Sequence, residues 1–541
     1  MIIKDVQIPV RDGIKIAARM YLPEGEGEFP TLYAASPYRY ETDDLPANAA
    51  VFPWRETGPI EWYIDHGYAY VHSDVRGTGN SEGDYGLLDT NEQNDLYDVI
   101  EWIGAQEWSN CKVGGIGQSY YCMSQWFMGI VNPPSLACIA PYDGMIDPYR
   151  DSVYHGGVYC GFMPFWYNMI RVNNAHRAAG QSDGKLLEKD LVLEMVKRQT
   201  IDDWWQERTA LHRINEIQVP VLNIGVWGKV GLHLRGNLMA HDKLTAPKRL
   251  IVTGGKNVAE AVHQFDKPEF HEIHFLPFYD RHLKGVENDE ESKPSVSLYI
   301  GGRDEYRDEE NWPVERAEYI SYYLNGNNTN SLNSLNDGGL SPEQVNSDNN
   351  STSYQYPDPQ WVLGTAAMGP QGPDPIRRQL TFTTDPIEGG LEITGPIVLE
   401  IYASSDQPDT DFVVKISDQL PQSPEDREKG LQPRSIPVAK GWLKASHREV
   451  DDSLSTDTQP FYAHTTPQPL VPGEVYKFQI EIWPISHFFA PGHRLRLEIA
   501  NGDSPLTDQQ FAHQYLPHKK GSDTFYFSDE HPSHLKLPVI S

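Results

Sequence analysis

The chain is poor in cysteine and in basic residues, and it contains no long apolar run. Its 541 residues include four cysteines and no Cys-x-x-Cys pair, which excludes a disulfide framework and predicts reduced thiols. Lysine and arginine number 45 against 76 acidic residues, so the formal net charge is −31. This acidity argues against nucleic acid or an anionic membrane as a partner and favours solubility instead. No apolar run approaches the roughly 18 residues that a membrane helix needs.

The remaining bulk features predict a multidomain protein of the cytoplasm. The first 13 residues have the pattern of a strand and a turn and lack the basic-then-apolar form of a signal peptide. A hydrophobic content of 39% is enough to build real cores, and the length implies two or three domains. We expect a small-molecule substrate, whereas the oligomeric state, including a homo-oligomer, is left open by the sequence.

The chain divides into three regions by its hydrophobic pattern. In residues 1–145 and 218–288, short β-prone segments alternate with segments of helical spacing, which predicts a mostly parallel sheet with helical crossovers. Residues 146–217 show helical patterns rich in aromatic and charged residues, and we interpret them as an inserted helical cap. From 289 to 541, short β-prone runs beginning with Val296–Ile300 recur between turn signals, which predicts a sandwich or jelly roll. Within it, Asn325–Pro359 has the composition of a long polar loop.

The strongest chemical motif lies around Ser119. A β-prone run leads into Gly117-Gln118-Ser119-Tyr120-Tyr121, and an apolar, helix-compatible run follows. This is the strand, sharp turn and helix of a nucleophile elbow, in which the residues two positions from the serine are usually small. Gly117 satisfies that requirement, whereas Tyr121 breaks it. The competing interpretation is a turn serine that happens to have a glycine neighbour.

Several further motifs, spread over nearly the whole chain and in the expected order, resemble one family. The resemblance is to the α/β-hydrolases that include cocaine esterase, the α-amino-acid ester hydrolases and the bacterial Xaa-Pro dipeptidyl peptidases. It is carried by the following segments: Ser36-Pro37-Tyr38, Asp74-Val75-Arg76-Gly77-Thr78-Gly79-Asn80-Ser81-Glu82-Gly83, Gln106-Glu107-Trp108-Ser109-Asn110, His282-Leu283-Lys284-Gly285, Leu391-Glu392-Ile393-Thr394-Gly395-Pro396, Asp409-Thr410-Asp411-Phe412, Ala445-Ser446-His447-Arg448 and Pro491-Gly492-His493-Arg494-Leu495.

The resemblance implies a fold and three roles. The fold is an α/β-hydrolase core with a helical cap and a C-terminal jelly roll. Ser119 would be the acyl-accepting nucleophile, and the hydroxyl of Tyr38 and the backbone amide of Tyr120 would stabilise the oxyanion. Two fixed donors at a developing negative charge typically lower a barrier by a few kcal/mol. Without the resemblance, Tyr38 would be interpreted as an ordinary aromatic residue after a proline turn.

The acid and the base of the family are missing from their usual places. The acid usually follows the strand before the last, where this chain has Gly225-Val226-Trp227-Gly228. The histidine usually follows the last strand, where Arg249–Thr253 continues into Gly254-Gly255-Lys256-Asn257-Val258. A serine hydroxyl without a base is a poor nucleophile at neutral pH.

Substitutes for both residues can be proposed from topology. Asp143 lies at the C-terminal end of its predicted strand, on the same edge as Ser119, and is our candidate acid, although a solvated turn residue is an equal alternative. His263 lies in the loop after the last strand of the sheet and is our candidate base. His155 and His233 are alternatives near the cap and the neighbouring strand end.

Two functions of different classes follow. The first is a serine hydrolase or acyltransferase that acts on esters or amides with small acyl groups. The second is a degenerate relative without a complete triad, which binds a ligand or performs lyase-like or cyclisation chemistry in the same pocket. A purely carbohydrate-binding β module does not explain the first 285 residues. No cofactor and no metal cluster are predicted, because His271 and His274 lack a third ligand of comparable quality.

Overall fold

The structure is a computed structural model that describes most of the chain. The described residues are 1–42, 56–176, 186–255, 260, 263–345, 350–358, 376–503, 513 and 519–541, together with the backbone of 368–369 and 372–373. Lys256, Asn257 and Val258, where the family motif would place a histidine, lie outside the described residues.

Two large sheets account for most of the strands. The strands of the N-terminal half are β1 Ile2–Pro9, β2 Lys15–Leu22, β3 Phe29–Ser36, β4 Ala69–Asp74, β5 Ser109–Gln118, β6 Leu136–Tyr142, β7 Tyr154–His155, β8 Val158–Tyr159, β9 Val221–Val226, β10 Lys248–Thr253, β11 Val296–Ile300 and β12 Glu305–Glu309. The strands of the C-terminal half are β13 Glu318–Asn325, β14 Gly338–Ser341, β15 Ser351–Tyr356, β16 Met368–Gly369, β17 Gly372–Pro373, β18 Leu380–Thr383, β19 Leu391–Ser405, β20 Asp411–Gln419, β21 Ser435–Lys444, β22 Tyr476–Phe489, β23 Arg494–Ala500, β24 Gly521–Tyr526 and β25 His534–Ile540.

The helices are concentrated in the first half. They are α1 Ile60–Asp65, α2 Thr90–Gly104, α3 Tyr120–Val131, α4 Phe162–Ala175, α5 Leu191–Lys197, α6 Asp203–Arg208, α7 Leu234–Lys243, α8 Pro268–His274, α9 Leu276–Tyr279 and α10 Pro424–Glu428. Short 3₁₀ or π turns cover Tyr149–Val153, Ile214–Glu216, His263–Asp266, Asp280–Lys284, Glu290–Ser292 and Ala445–His447. No helix in the described ranges combines the length and the apolar character that a membrane crossing requires.

The first sheet has ten strands in the order β1-β2-β4-β3-β5-β6-β9-β10-β11-β12. The strands from β4 to β11 in this order pair in parallel, and antiparallel strands lie at both edges. The central strands are buried on both faces, as helices on either side of a parallel sheet require. The carboxyl ends of β5, β6 and β9 therefore meet at one edge, where α/β folds place their ligands.

The predicted alternation of strands and helices is confirmed for the N-terminal half, with one correction. Val296–Ile300 was predicted to open the β domain, but it pairs in parallel with β10 as β11 and extends the first sheet. Its buried residues Val296, Leu298 and Ile300 belong to an apolar cluster that also contains Leu250 and Val252 of β10 and residues of the β domain such as Trp442.

The region predicted as a helical cap contains α4, α5 and α6 and one pair of strands. The pair is β7–β8, an antiparallel hairpin of two residues on each side. A strand of two residues is too short to produce an alternating pattern, which is why the sequence did not indicate it. The limits of the cap at 146 and 217 stay predictions.

The second half is an all-β domain built on a sheet of eleven strands. Its order is β15-β24-β19-β22-β21-β20-β23-β18-β14-β13-β25, and β25 also pairs with β19. This additional pairing joins the end of the sheet back to an inner strand around a separate apolar core. β14 and β15 lie within the segment Asn325–Pro359, so that segment is not the single polar loop that its composition predicted.

Candidate active site

Ser119 occupies a strained turn between β5 and α3. Its backbone has φ 62° and ψ −116°, a conformation that is uncommon for a residue with a side chain. The peptide N–H of Ser119 donates to the carbonyl oxygens of Tyr142 and Asp143 at 3.2 and 3.0 Å. These bonds tie the turn to the end of β6. The strand, turn and helix are those of a nucleophile elbow.

Gly117 explains why Tyr121 is tolerated where a small residue is usual. A Cβ on Gly117 would lie 2.3 Å from the Cβ of Tyr121, and Gly117 has φ +129°. Because Gly117 has no side chain, it leaves the space that the Tyr121 side chain occupies. The Tyr121 hydroxyl is then held by the Nε2 of His72 at 2.7 Å, inside the core.

His233 is the histidine that lies against Ser119. Its Nε2 is 3.5 Å from the Ser119 Oγ, and its Nδ1 is 3.2 Å from the Asp143 Oδ1. The contact between His233 and Asp143 does not have the geometry of a formed hydrogen bond. Long or poorly aligned contacts are common in sites without substrate and tighten in the Michaelis complex. Serine, imidazole and carboxylate thus lie in the order that nucleophilic acyl transfer uses.

The Asp143 carboxylate is fully buried but has several polar neighbours. Its Oδ2 accepts a hydrogen bond from the Gln118 Nε2 at 3.0 Å and lies 3.9 Å from the Lys229 Nζ. Burial raises the pKa of Asp143, but His233 and Lys229 outweigh that effect and leave the pKa below its ordinary value. Asp143 is therefore an ionised carboxylate at neutral pH.

The imidazole of His233 is neutral at neutral pH. Burial lowers the pKa of His233, with Lys229 acting in the same direction, and the attraction of Asp143 only partly offsets this. A neutral imidazole with Asp143 on its Nδ1 side keeps its Nε2 lone pair for the hydroxyl of Ser119. This is the protonation state that a general base requires before it accepts a proton.

Of the three histidines weighed from the sequence, the geometry favours His233 over His263 and His155. The side chain of His263 is 42% exposed and its Nδ1 lies 3.5 Å from Asp266, whereas His233 is 2% exposed and contacts Ser119. We therefore replace His263 with His233 as the candidate base. His155 is buried against His513, as described below. Asp143 keeps the place that topology predicted for it.

Each candidate partner of Ser119 comes from one strand earlier in the sheet than the resemblance implies. Asp143 follows β6 rather than β9, and His233 follows β9 rather than β10. Since β5, β6 and β9 are consecutive in the sheet, these loops converge on Ser119 from one side. The chain order of serine, aspartate and histidine is still that of α/β-hydrolases.

Tyr38 lies beside the nucleophile, at the end of β3. Its hydroxyl accepts a hydrogen bond from the Trp166 Nε1 at 3.2 Å. Burial raises the pKa of Tyr38 well above 10, and hydrogen bonding to Ser119 and Trp166 opposes that rise only in part. The phenol is thus a protonated donor over the whole working pH range. Tyr120 is the first residue of α3, so its N–H has no acceptor within the helix.

Glu56 is a site residue that no sequence motif indicated. Its carboxyl is buried next to Ser119, and its Oε2 has no hydrogen-bond partner among the described residues. The peptide carbonyl of Glu56 holds the elbow by accepting from the Gln118 N–H at 2.9 Å. Burial raises the pKa of Glu56 to about 8, while Lys229 acts in the opposite direction. The carboxyl is therefore largely protonated at neutral pH.

The nucleophile elbow, the order of the triad and the parallel sheet together define the class of α/β-hydrolases. Two family models match the chain in succession. Residues 12–257 match the X-Pro dipeptidyl-peptidase family S15, and residues 288–536 match the C-terminal non-catalytic domain of X-Pro dipeptidyl-peptidases. Cocaine esterase from Rhodococcus sp. (strain MB1 Bresler) is 26% identical over 604 aligned positions, which cover 99% of this chain and 98% of the esterase.

Solved structures agree over the full length. A CocE/NonD family hydrolase from Staphylococcus aureus superposes with a TM-score of 0.83 at 25% identity, covering 99% of this chain and 93% of the hydrolase. An aminopeptidase from a marine sediment archaeon (Thaumarchaeota archaeon) shares the fold, with a TM-score of 0.76 at 20% identity and coverage of 100% and 96%. The chain belongs to the CocE/NonD and X-Pro dipeptidyl-peptidase family of hydrolytic enzymes.

Proposed function

We propose that the protein is a serine hydrolase or acyltransferase that cleaves an ester or amide with a small acyl group through an acyl intermediate on Ser119. The observation that carries the proposal is the position of His233, with one ring nitrogen toward Ser119 and the other toward Asp143. A small-molecule substrate follows from this chemistry. The cytoplasmic location and the jelly-roll topology of the β domain stay predictions.

The proposed reaction uses these residues in two half-reactions. In the first half-reaction, the His233 Nε2 accepts the hydroxyl proton of Ser119 while the Ser119 Oγ bonds to the substrate carbonyl carbon. The same imidazolium then gives that proton to the leaving alcohol or amine as the scissile bond breaks. In the second, water or another acceptor loses a proton to His233 and attacks the acyl group, and Ser119 regains its hydrogen. Asp143 stabilises the imidazolium in both.

The oxyanion is proposed to bind between the Tyr38 hydroxyl and the Tyr120 N–H. Both lie next to or within regular elements, since Tyr38 follows the last residue of β3 by two positions and Tyr120 begins α3. The ring of Tyr120 stacks on Trp166 at 6.0 Å with planes 11° apart, and Trp166 also bonds Tyr38. The rings of Tyr38, Tyr120 and Trp166 therefore pack against one another beside the proposed oxyanion site.

The alternative of a degenerate relative loses its main argument. It rested on the missing acid and base, and the contacts of His233 with Ser119 and Asp143 support the first function instead. Glu56 is the observation that still speaks for unusual chemistry, because a protonated carboxyl beside the nucleophile is not part of a simple triad. It is compatible with a role in positioning the substrate.

Covalent labelling tests the proposed function directly. The wild-type protein is expected to react with a fluorophosphonate probe at Ser119, because that reaction needs an activated hydroxyl. Mass spectrometry should place the adduct on the peptide that contains Ser119, and Ser119→Ala should abolish both labelling and turnover of an activated ester. Heat-denatured wild type is the control. If native wild type is not labelled, the degenerate relative becomes the better interpretation.

Tyr38→Phe is expected to lower kcat by about ten- to a thousandfold, the range for the loss of one oxyanion donor, with a smaller change in KM. The measurement is steady-state hydrolysis of an activated ester at neutral pH. Tyr33→Phe is the matched control, because Tyr33 is a buried tyrosine on β3, the strand that leads to Tyr38, but its hydroxyl bonds Ser73 at 2.9 Å. An equal loss in both variants would show a structural rather than an oxyanion role for Tyr38.

A further inference from the structure

Three metal-ligating side chains meet in the interior between the cap region and the β domain. They are His155 on β7, Cys160 directly after β8, and His513, which lies 358 positions from His155 along the chain. All three are buried, and one ligand atom of each lies within 4.8 Å of the others. The sequence predicted no metal cluster because its members are too far apart in the chain to form a motif.

The hydrogen bonds of the two histidines fix one proton on each ring. The Nε2 of His155 lies 2.9 Å from the carbonyl oxygen of Asp151, which can only accept, so Nε2 carries the proton. The Nδ1 of His513 lies 2.7 Å from the Oδ2 of Asp503. The attraction of His513 and Lys440 keeps the pKa of Asp503 below its ordinary value despite burial, so this carboxylate also accepts.

The remaining nitrogens of the two rings face each other. The Nδ1 of His155 and the Nε2 of His513 are 2.7 Å apart. At that distance one ring nitrogen donates a hydrogen bond to the other. A metal ion that takes the place of this proton would be bound by both nitrogens.

We propose that His155 Nδ1, Cys160 Sγ and His513 Nε2 bind one divalent metal ion of the zinc type. Two imidazoles and one thiolate form the nitrogen and sulfur set that zinc prefers over magnesium or calcium. Each imidazole already donates its other N–H, one to a backbone carbonyl and one to a carboxylate. This is the arrangement that orients metal-bound histidines. The ion would join the β7–β8 hairpin to the C-terminal half of the chain.

Binding requires a small movement of the two rings and the release of two protons, one from between the rings and one from Cys160. Zinc–nitrogen bonds of about 2.1 Å place two tetrahedral ligands about 3.3 Å apart, so the two rings must separate by about half an ångström. Burial raises the pKa of the Cys160 thiol to about 12, and its proton must leave to solvent as the metal–sulfur bond forms. Metal affinity is therefore expected to rise with pH.

Two tryptophans hold the ring of His155 in place. Trp442 stacks on it with ring centroids 4.7 Å apart and planes 28° apart, and Trp483 meets it edge-on at 5.7 Å. Both belong to the β domain, on β21 and β22. Their indoles exclude water from one side of the cluster and supply a fluorescence signal next to the proposed ion.

Cobalt binding to the full-length protein tests the proposal. A tag-free Cys111→Ser background removes the exposed thiol, and chelator-treated protein is titrated with Co²⁺. We expect one equivalent to bind, with a thiolate-to-cobalt charge-transfer band, d–d bands of tetrahedral intensity and quenching of tryptophan fluorescence. Zn²⁺ should displace Co²⁺ and raise Tm by several degrees. Elemental analysis of untreated protein should approach one zinc for each chain.

Variants assign the ligands. Cys160→Ser should remove the charge-transfer band, His513→Gln should weaken Co²⁺ binding at least tenfold, and Asp503→Asn should weaken it about 10- to 100-fold. Cys138→Ser, which alters another buried cysteine on β6, should change none of these signals. Absence of the thiolate band in the folded Cys111→Ser protein, or a band that persists in Cys160→Ser, would overturn the proposal. The spectrum of the Cys111→Ser protein decides the matter even if a ligand variant fails to fold.

Discussion

Replacing His233 with alanine is expected to lower kcat for an activated ester by about 10⁴- to 10⁶-fold, the loss seen when a serine hydrolase is deprived of its base. His263→Ala should leave kcat nearly unchanged. The physical reason is contact, since the His233 Nε2 lies 3.5 Å from the Ser119 Oγ, whereas the His263 Nδ1 lies beside Asp266. Steady-state kinetics of the two purified variants, with circular dichroism to confirm folding, provides the comparison.

The pH dependence of the wild type adds a second test of the base. The pKa of His233 is below its ordinary value of about 6.5, so the imidazole stays neutral through pH 7 and becomes protonated only under acidic conditions. kcat/KM should therefore be constant near neutrality and fall on the acid side, with an apparent pKa below about 6.5. A large loss in His263→Ala together with an active His233→Ala would restore His263 as the base.

How far the sequence predicts the site depends on which residues are fixed by local structure. Ser119 and Tyr38 lie in motifs made of residues that are adjacent in the chain. The strand-to-helix turn at Ser119 can be recognised from its few flanking residues. Asp143 was also predicted, because the end of β6 is next to the end of β5 in any parallel sheet of this order. For these residues the sequence motif and the strand order of the sheet predict the same edge of the sheet.

His233 could not be chosen from the sequence because three histidines occupied plausible loops. His263 lies in the loop where the resemblance implies the base. The direction of its imidazole depends on the path of that loop, which the sequence does not reveal. The 3₁₀ turn His263–Asp266 directs it toward Asp266. The signal for His233 was its place directly before α7, after a strand adjacent to β6. Nothing in the sequence indicated Glu56, because a single carboxyl group that becomes buried in the fold has no accompanying sequence motif.

The fold shows the same division between local and long-range information. The alternating strands and helices of the first half follow from hydrophobic periodicity, and so does the change to an all-β region. The assignment of β11 to the first sheet depends on which exposed edge it meets, β10 in this case, and a β-prone segment carries no information about its partner. The pairing of β25 with both β13 and β19 is equally long-range.

Asp143→Asn is expected to lower kcat by about 10⁴-fold while the fold and KM change little, because an amide cannot stabilise the imidazolium and favours the wrong tautomer of His233. Gln118 donates to the Asp143 Oδ2 at 3.0 Å and should hold the substituted side chain in place, so the loss reports on charge. The measurement is steady-state ester hydrolysis, with a thermal melt to confirm stability.

Asp266→Asn is the matched control for this change, because Asp266 stands beside His263 as Asp143 stands beside His233. It should retain nearly full activity. Since Asp143 lies on the loop after β6, a large effect in Asp143→Asn alone would place the acid one strand earlier in the sheet than the resemblance implies. An equal loss in Asp266→Asn would instead show that both carboxylates shape the field around Ser119, and the acid could not be assigned to Asp143 alone.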